Sequence, residues 1–391
     1  MKYFPATKFS MRTINNLIKR LYSSTFFERL EKNNQNFFHI SNDEINVIVA
    51  VEPDKKSLNI FYKEEGFITF ESMIRDDARN FFAYANNYIV IEPRDIYEYP
   101  FLNCEKIIKD FPLYHIDSIP VTYLSYHRGR TEMPITEKEA LLVVDVLQYL
   151  LVIRDLYKNN KEKPAPKKDM VADFIFNDID YTYNLEYIDL QVLSFIPMIR
   201  FQAKKDPNFV LWLKEKEVMP GQLYLGCFNT AVINETYKLK NGFEYSKTPM
   251  LLYACTDNKT IDYIMFDVDD STFKKNLKGE LLNIIDKVGL FDSIITDNYM
   301  VYLLIYKELQ ELGINIQFDL MNIVNNFVFK ALRPILFCRD MQQFNEYLKC
   351  FIEDYPNVIE DIISNNIDFD DDEFDEYEDD YKEDDNKNIV S

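Results

Sequence analysis

From Met250 onward the chain changes rhythm. Two short apolar runs, Met250–Cys255 and Ile261–Val268, flank Thr256-Asp257-Asn258-Lys259-Thr260. That polar segment suits a hairpin turn, because Asp and Asn side chains hydrogen-bond to nearby backbone. A further strand-like run, Gln222–Thr230, precedes them. After them come helix Phe273–Lys287, strand Asp292–Thr296, helix Tyr299–Leu312, strand Ile314–Phe318, helix Leu320–Leu332 and a last helix Met341–Phe351. Three strands in succession, then alternating helix and strand, imply a mixed sheet with helices on its faces, since every apolar stripe needs a partner layer. The expected class is α/β.

The first half has a different pattern. Residues 11–32 form an amphipathic helical repeat, with Ile14, Leu17, Ile18, Leu21 and Tyr22 on one side. Val47–Val51 and Leu58–Tyr62, joined through Pro53-Asp54-Lys55-Lys56, read as a β-hairpin. A helix over 67–80, a strand at Tyr88–Ile91 and another at Val121–Tyr126 follow. Thr136-Glu137-Lys138-Glu139 has the spacing of a capping box and opens a helix reaching about Tyr157. Residues 158–168, basic and Pro-containing, break every period and suit a boundary. Beyond them, Val171–Phe176 and Leu185–Leu190 look like strands. The expected organisation is an α+β N-terminal domain at 1–158, a linker at 159–168, an α/β domain at 169–365 and a disordered acidic tail at 366–391.

Charge and glycine usage exclude several functions. Of the net charge of −21, residues 368–385 hold thirteen acids and one lysine, or −12, leaving −9 on the rest. An acidic body disfavours a broad phosphate-binding surface, because nonspecific nucleic-acid affinity comes mostly from Lys and Arg displacing counterions. The chain has 8 glycines, no two closer than Gly221 and Gly226. The clustered glycines of a P-loop or a dinucleotide-binding turn are therefore absent. Five scattered cysteines without CxxC spacing, an odd count and no signal sequence point to reduced thiols. No run approaches the roughly 18 to 20 apolar residues of a membrane span. The expected location is the cytoplasm, with no membrane partner.

On these residues the stretch from Leu251 to Phe318 resembles retroviral-type integrase and transposase cores, which have an RNase H-like fold. Leu251-Leu252-Tyr253-Ala254-Cys255 and Ile261-Asp262-Tyr263-Ile264 match the family's second and third strands. Ser293-Ile294-Ile295-Thr296-Asp297-Asn298 resembles its strand ending in Thr-Asp-Asn, and the helix ending at Leu312-Gly313-Ile314 fits as well. The resemblance covers about residues 220–350. It implies three carboxylates holding two metal ions that activate water and stabilise the leaving oxygen. Asp297 would be the second carboxylate and Glu346 a candidate third. The first is missing, for Leu223-Tyr224-Leu225-Gly226-Cys227-Phe228 places Gly226 where the resemblance asks for Asp. One acid cannot satisfy hard divalent cations, which need several oxygen ligands. The two-part layout, with Met133-Pro134 leading to Glu139-Ala140, is also similar to a family of bacterial proteins of unknown function.

Each candidate residue has a plainer explanation beside it. Thr-Asp-Asn between strand and helix is an N-capping pattern, Asp257 suits a turn, and Asp267, Asp269 and Asp270 lack the spacing of a calcium loop. Cys227 and Cys255 suit small buried apolar positions on neighbouring strands. His39, His115 and His127 lie far apart without zinc spacing. His127-Arg128-Gly129-Arg130 is the most concentrated positive loop outside the linker. It is an anion-binding candidate through the Arg forks, with a solvated loop as the plain reading. The acidic tail is a solubilising segment, an acidic–aromatic ligand for a basic partner, or a competitor with nucleic acid for the protein's own basic groups. The leading expectation is a non-catalytic interaction or scaffold protein with an unidentified, basic protein partner, no resident cofactor and no metal site. The alternatives are a nuclease or polynucleotidyl transferase using Mg²⁺ or Mn²⁺ with an unconventional carboxylate set, and a regulator acting through the tail.

Overall fold

The computed structural model describes residues 6–33, 35–75, 87–94, 114–116, 118–127, 133–159, 161–163, 170–177, 182–190, 204–230, 235–238, 244–256, 261–267, 273–296, 298–318, 338 and 341–354. The expected acidic tail, the helix at 320–332, and the candidates Arg128, Arg130, Asp257, Asp269, Asp270 and Asp297 lie outside them.

The first half is built on a nine-stranded sheet in the order β5-β6-β4-β3-β2-β1-β8-β9, with β7 paired to β6. The strands are β1 (Phe37–Ser41), β2 (Asn46–Glu52), β3 (Ser57–Tyr62), β4 (Tyr88–Pro93), β5 (His115–Ile116), β6 (Ile119–Tyr126), β7 (Met133–Pro134), β8 (Met170–Phe176) and β9 (Tyr183–Asp189). Neighbours run antiparallel except β1 and β8, which are parallel with His39 opposite Asp173. One face carries α1 (Lys8–Tyr22), α2 (Phe26–Asn33) and α4 (Glu137–Lys158). Ile14, Ile18 and Leu21 of α1 and Val143, Val146 and Leu150 of α4 are buried there. Helix α4 starts as its sequence demands: the Thr136 hydroxyl accepts from Glu139 N–H, and the Glu139 carboxylate accepts from Thr136 N–H.

Two expectations change here. The repeat at 11–32 is two helices, because the Ser24 hydroxyl bonds Leu21 carbonyl and receives Phe26 N–H, which competes with continued helix. The strands at 170–189, expected with the second half, complete the first sheet, because β8 adds to the open edge of β1. Strand β1 itself has no long apolar run to announce it.

The opposite face of the first sheet, with Ile48, Phe61, Tyr88 and Val90, lies under α3 (Lys63–Arg75), which contributes Phe67, Ile68 and Phe70. This layer is continuous with the core of the second half, and Lys274 reaches Glu64 at 3.9 Å between them.

The second half contains a five-stranded sheet in the order β14-β13-β10-β15-β16. Its strands are β10 (Val218–Asn229), β13 (Met250–Thr256), β14 (Ile261–Phe266), β15 (Leu290–Thr296) and β16 (Asn315–Phe318). A separate antiparallel ribbon, β11 (Glu235–Lys238) with β12 (Glu244–Lys247), is inserted between β10 and β13. Helices α5 (Pro207–Lys214), α6 (Phe273–Val288), α7 (Tyr299–Glu311) and α8 (Met341–Asp354) complete it. β13 runs antiparallel to both β10 and β14, whereas β15 and β16 run parallel to β10. A three-strand meander followed by two parallel strands added through helices is the RNase H-like order, so this half is a mixed α/β domain of that fold. Gly289 and Gly313 follow α6 and α7 with φ of 96° and 73°, the left-handed conformation that ends helices. The helices are tied together through Asp206, whose side chain caps α5 and binds Lys278 of α6 at 2.9 Å. Buried Glu308 of α7 accepts the Asp206 backbone N–H at 2.9 Å. Among the described residues no helix is long and apolar enough to cross a membrane.

Candidate functional site

In this fold a metal-dependent site would gather carboxylates around β10 and β15. Residues Leu223, Leu225 and Cys227 of β10 face the core shared with α6, so Gly226 faces the other side of the sheet. Gly226 pairs with Tyr253 of β13. A Cβ built on Gly226 would collide with the far end of the Tyr253 ring, whose Cζ, hydroxyl and Cε1 occupy that volume. Tyr253 is itself buried, with Phe228 tilted against it at 6.2 Å between centroids. The position that the resemblance assigns to the first carboxylate is therefore filled by an aromatic ring from the next strand.

Asn298 lies just beyond β15. Its Oδ1 accepts from Met300 N–H at 2.9 Å and Val301 N–H at 3.0 Å, and its Nδ2 donates to the Cys227 carbonyl at 2.7 Å. Thr296 Oγ1 accepts from Asn298 N–H at 3.1 Å. The capping read from Thr-Asp-Asn is thus performed by Asn298, and the same side chain stitches α7 to β10 beside Gly226. Glu346 of α8 is exposed and accepts from Gln342 at 2.9 Å, an ordinary surface pair one turn apart. Asp262 is paired with Lys287 at 3.1 Å. Among the described residues no group of three or more His, Cys, Asp or Glu side chains could hold a metal ion. Cys227 and Cys255 are buried and not in disulfides, as their strand positions suggest, and burial pushes the Cys255 thiol up to about 12.

A dense polar cluster lies elsewhere, on the first sheet. Glu139 is 5% exposed and accepts five hydrogen bonds. Its Oε1 receives the Tyr62 hydroxyl at 2.6 Å, the Ser125 hydroxyl at 2.8 Å and His127 Nε2 at 2.8 Å. Its Oε2 receives the Thr136 N–H at 2.7 Å and hydroxyl at 2.8 Å. Burial alone would raise this carboxyl, but the His127 contact and the other donors outweigh it and hold it well below the usual carboxylate range. A carboxylate offers about four lone-pair directions, and here they are taken. Ser125 donates its hydroxyl proton to the carboxylate and therefore does not donate it to His127. The cluster is a clamp joining β3, β6 and the start of α4. His127, an anion-binding candidate from sequence, directs its Nε2 to a carboxylate instead.

His39 is the second engaged imidazole. Its Nδ1 lies 2.8 Å from Asp173 Oδ1 and its Nε2 2.7 Å from Asn46 Oδ1, so it joins β1 to both β8 and β2. Burial disfavours its charge, yet the bonds to Asp173 and Asn46 raise its pKa above the ordinary histidine value. His115, by contrast, is exposed on β5.

Sequence reasoning found Glu139 only as a capping residue. The signal for its wider role was the alternation Ser125-x-His127 at the end of β6, since residues two apart in extended chain point to the same side.

No family model matches this chain, and no curated protein is similar to it. Solved structures similar to it include the HTLV-2 integrase catalytic core domain in complex with magnesium, in its dimeric form, at 15% identity and TM-score 0.20, covering 34% of this chain and 86% of that one. The trimeric form of the same domain gives 14% identity, TM-score 0.19 and the same coverage of 34% and 86%. A simian T-cell lymphotropic virus intasome in complex with PP2A regulatory subunit B56 gamma gives 13% identity and TM-score 0.20, with 34% of this chain spanning 49% of that one. The five-strand order, rather than these matches, identifies the fold.

Proposed function

We propose that this chain is a non-catalytic interaction protein in which the RNase H-like half serves as a scaffold. One observation carries the reading: the Tyr253 ring occupies the side-chain volume at Gly226, so β10 can present no carboxylate there without expelling a buried aromatic. Two-metal phosphoryl transfer depends on clustered acids holding ions about 4 Å apart. Asn298, at the neighbouring strand end, is spent on capping and on the Cys227 carbonyl. The shared core between α3 and the second half suits a rigid binding surface.

Incubation with Mn²⁺ and end-labelled single- and double-stranded DNA and RNA tests the proposal. The expected result is intact substrate at rates equal to a heat-denatured control. Cleavage that disappears in Asp297→Ala would overturn it in favour of an enzyme with an unconventional acid set. Affinity purification of the full chain, with a Tyr253→Ala variant alongside, then identifies the protein partner that the scaffold reading requires.

A further inference from the structure

In an acidic chain, α1 is an exception. Its 15 residues contain Lys8, Arg12, Lys19 and Arg20 and no acid. One side is buried against the sheet and α4, while Lys8, Arg12, Asn16, Lys19 and Arg20 are exposed. The i, i+4 spacing aligns Lys8, Arg12, Asn16 and Arg20 along one ridge, with Lys19 beside it. Phe9, next to this ridge, is 80% exposed. The helix macrodipole accounts for cations in the last turn, as with Lys19 and Arg20, but it disfavours Lys8 at the start.

Two acids of α4, the helix packed against α1, already hold other partners. Glu137 accepts Thr7 N–H and the Ser10 hydroxyl, both at 2.6 Å, which supplies the negative charge at the α1 N-terminus. Asp155 is bound by Arg154, which also donates to the Arg20 carbonyl at 3.0 Å. Among the described residues, none of the four α1 cations is in an ion pair. Lysines of the second half contrast with them: Lys278 pairs with Asp206 and Glu308, Lys205 with Glu311, and Lys216 with Asp286.

We propose that the acidic segment 368–385 of this same chain docks on the exposed basic ridge of α1. The segment carries −12 and interleaves Phe369, Phe374, Tyr377 and Tyr381 among its acids, which complements four cations beside an exposed Phe9. Thirteen residues separate Asp354 from Asp368. At about 3.4 Å per extended residue they reach roughly 45 Å, against a radius of gyration of roughly 20 Å for a body of this length. Tethering raises the effective concentration of the segment to about millimolar. A free polyanion must instead approach against the net negative charge of the body. Docking neutralises the ridge and keeps α1 from competing anions.

Zero-length carbodiimide cross-linking of the full chain tests this directly. Lys8 and Lys19 should form amides with tail carboxylates within one molecule, in preference to exposed Lys138 and Lys275. The cross-links should vanish at about 1 M salt, where screening acts over roughly 3 Å. Yields that follow lysine exposure alone overturn the proposal. So do links found only between copies in a mixture of light and ¹⁵N-labelled chains, which would make the occupant a second molecule. A second measurement uses oligothymidylate as the polyanion probe. Deleting residues 368–391 should tighten its binding at least about tenfold at low salt, a gain lost in Lys8→Gln/Arg12→Gln/Lys19→Gln/Arg20→Gln. Equal affinity with and without the tail also overturns it.

Discussion

Tyr253 stands opposite Gly226 across the β10–β13 ladder, and its ring fills the space that any side chain at 226 would take. The two residues form one packing unit in which the absent Cβ of one defines the site of the other.

That unit predicts a non-additive mutant cycle. Gly226→Ala alone should cost about 1–3 kcal/mol, the range for overpacking a core. In a Tyr253→Ala background the same substitution should cost distinctly less, because the obstructing ring is gone. Urea denaturation of the four proteins measures this, and equal costs in both backgrounds would refute the packing relationship.

Glu139 should be the most sensitive buried polar position. Glu139→Ala leaves the Tyr62, Ser125, His127 and Thr136 donors without their acceptor, a loss of about 3–5 kcal/mol for breaking a buried charged pair. Because its folded pKa is depressed, the stability it supplies is present above the unfolded value and is lost as pH falls through the folded one. The stability gap between native protein and Glu139→Gln should therefore be full at neutral pH and narrow only below about pH 4.

His39 predicts the opposite sign. Its folded pKa is raised, so the contribution of the Asp173 bond is fully present below the ordinary histidine value and fades as pH rises through the folded value. His39→Gln should cost about 1 kcal/mol near pH 5.5, where both ring nitrogens donate, and less at pH 9. Denaturation midpoints at the two pH values settle it; a gap that widens with pH contradicts the assignment.

Asn298 unites a cap with a strand contact. Asn298→Ala should lose about 2–3 kcal/mol, combining a cap of about 1 kcal/mol with a buried hydrogen bond. Asn298→Asp keeps the acceptor for Met300 and Val301 but gives up the donor to the Cys227 carbonyl, so it should recover only part of that loss. Full recovery would mean that the Cys227 contact contributes nothing.

Local chemistry was legible in the sequence. The capping box at Thr136 and Glu139, the β2–β3 and β13–β14 hairpins and the alternation from Phe273 to Phe318 follow from neighbouring residues and their periods. Helix α5 could have been read too, since Asp206 before Pro207 is a cap signal followed by a favoured first residue.

Sequence alone thus determined the α/β class, the succession of three strands followed by alternating helix and strand after Gln222, and the glycine at position 226, since hydrophobic period, turn chemistry and side-chain identity act over a few residues. Only the tertiary structure decided that Tyr253 fills the space at Gly226, that Glu139 gathers Tyr62 and His127, and that β8 crosses the 159–168 segment to pair with β1. Those outcomes depend on groups brought together from up to about 130 positions apart, as with His39 and Asp173. Burial then multiplies the strength of each such contact, and no local window contains it.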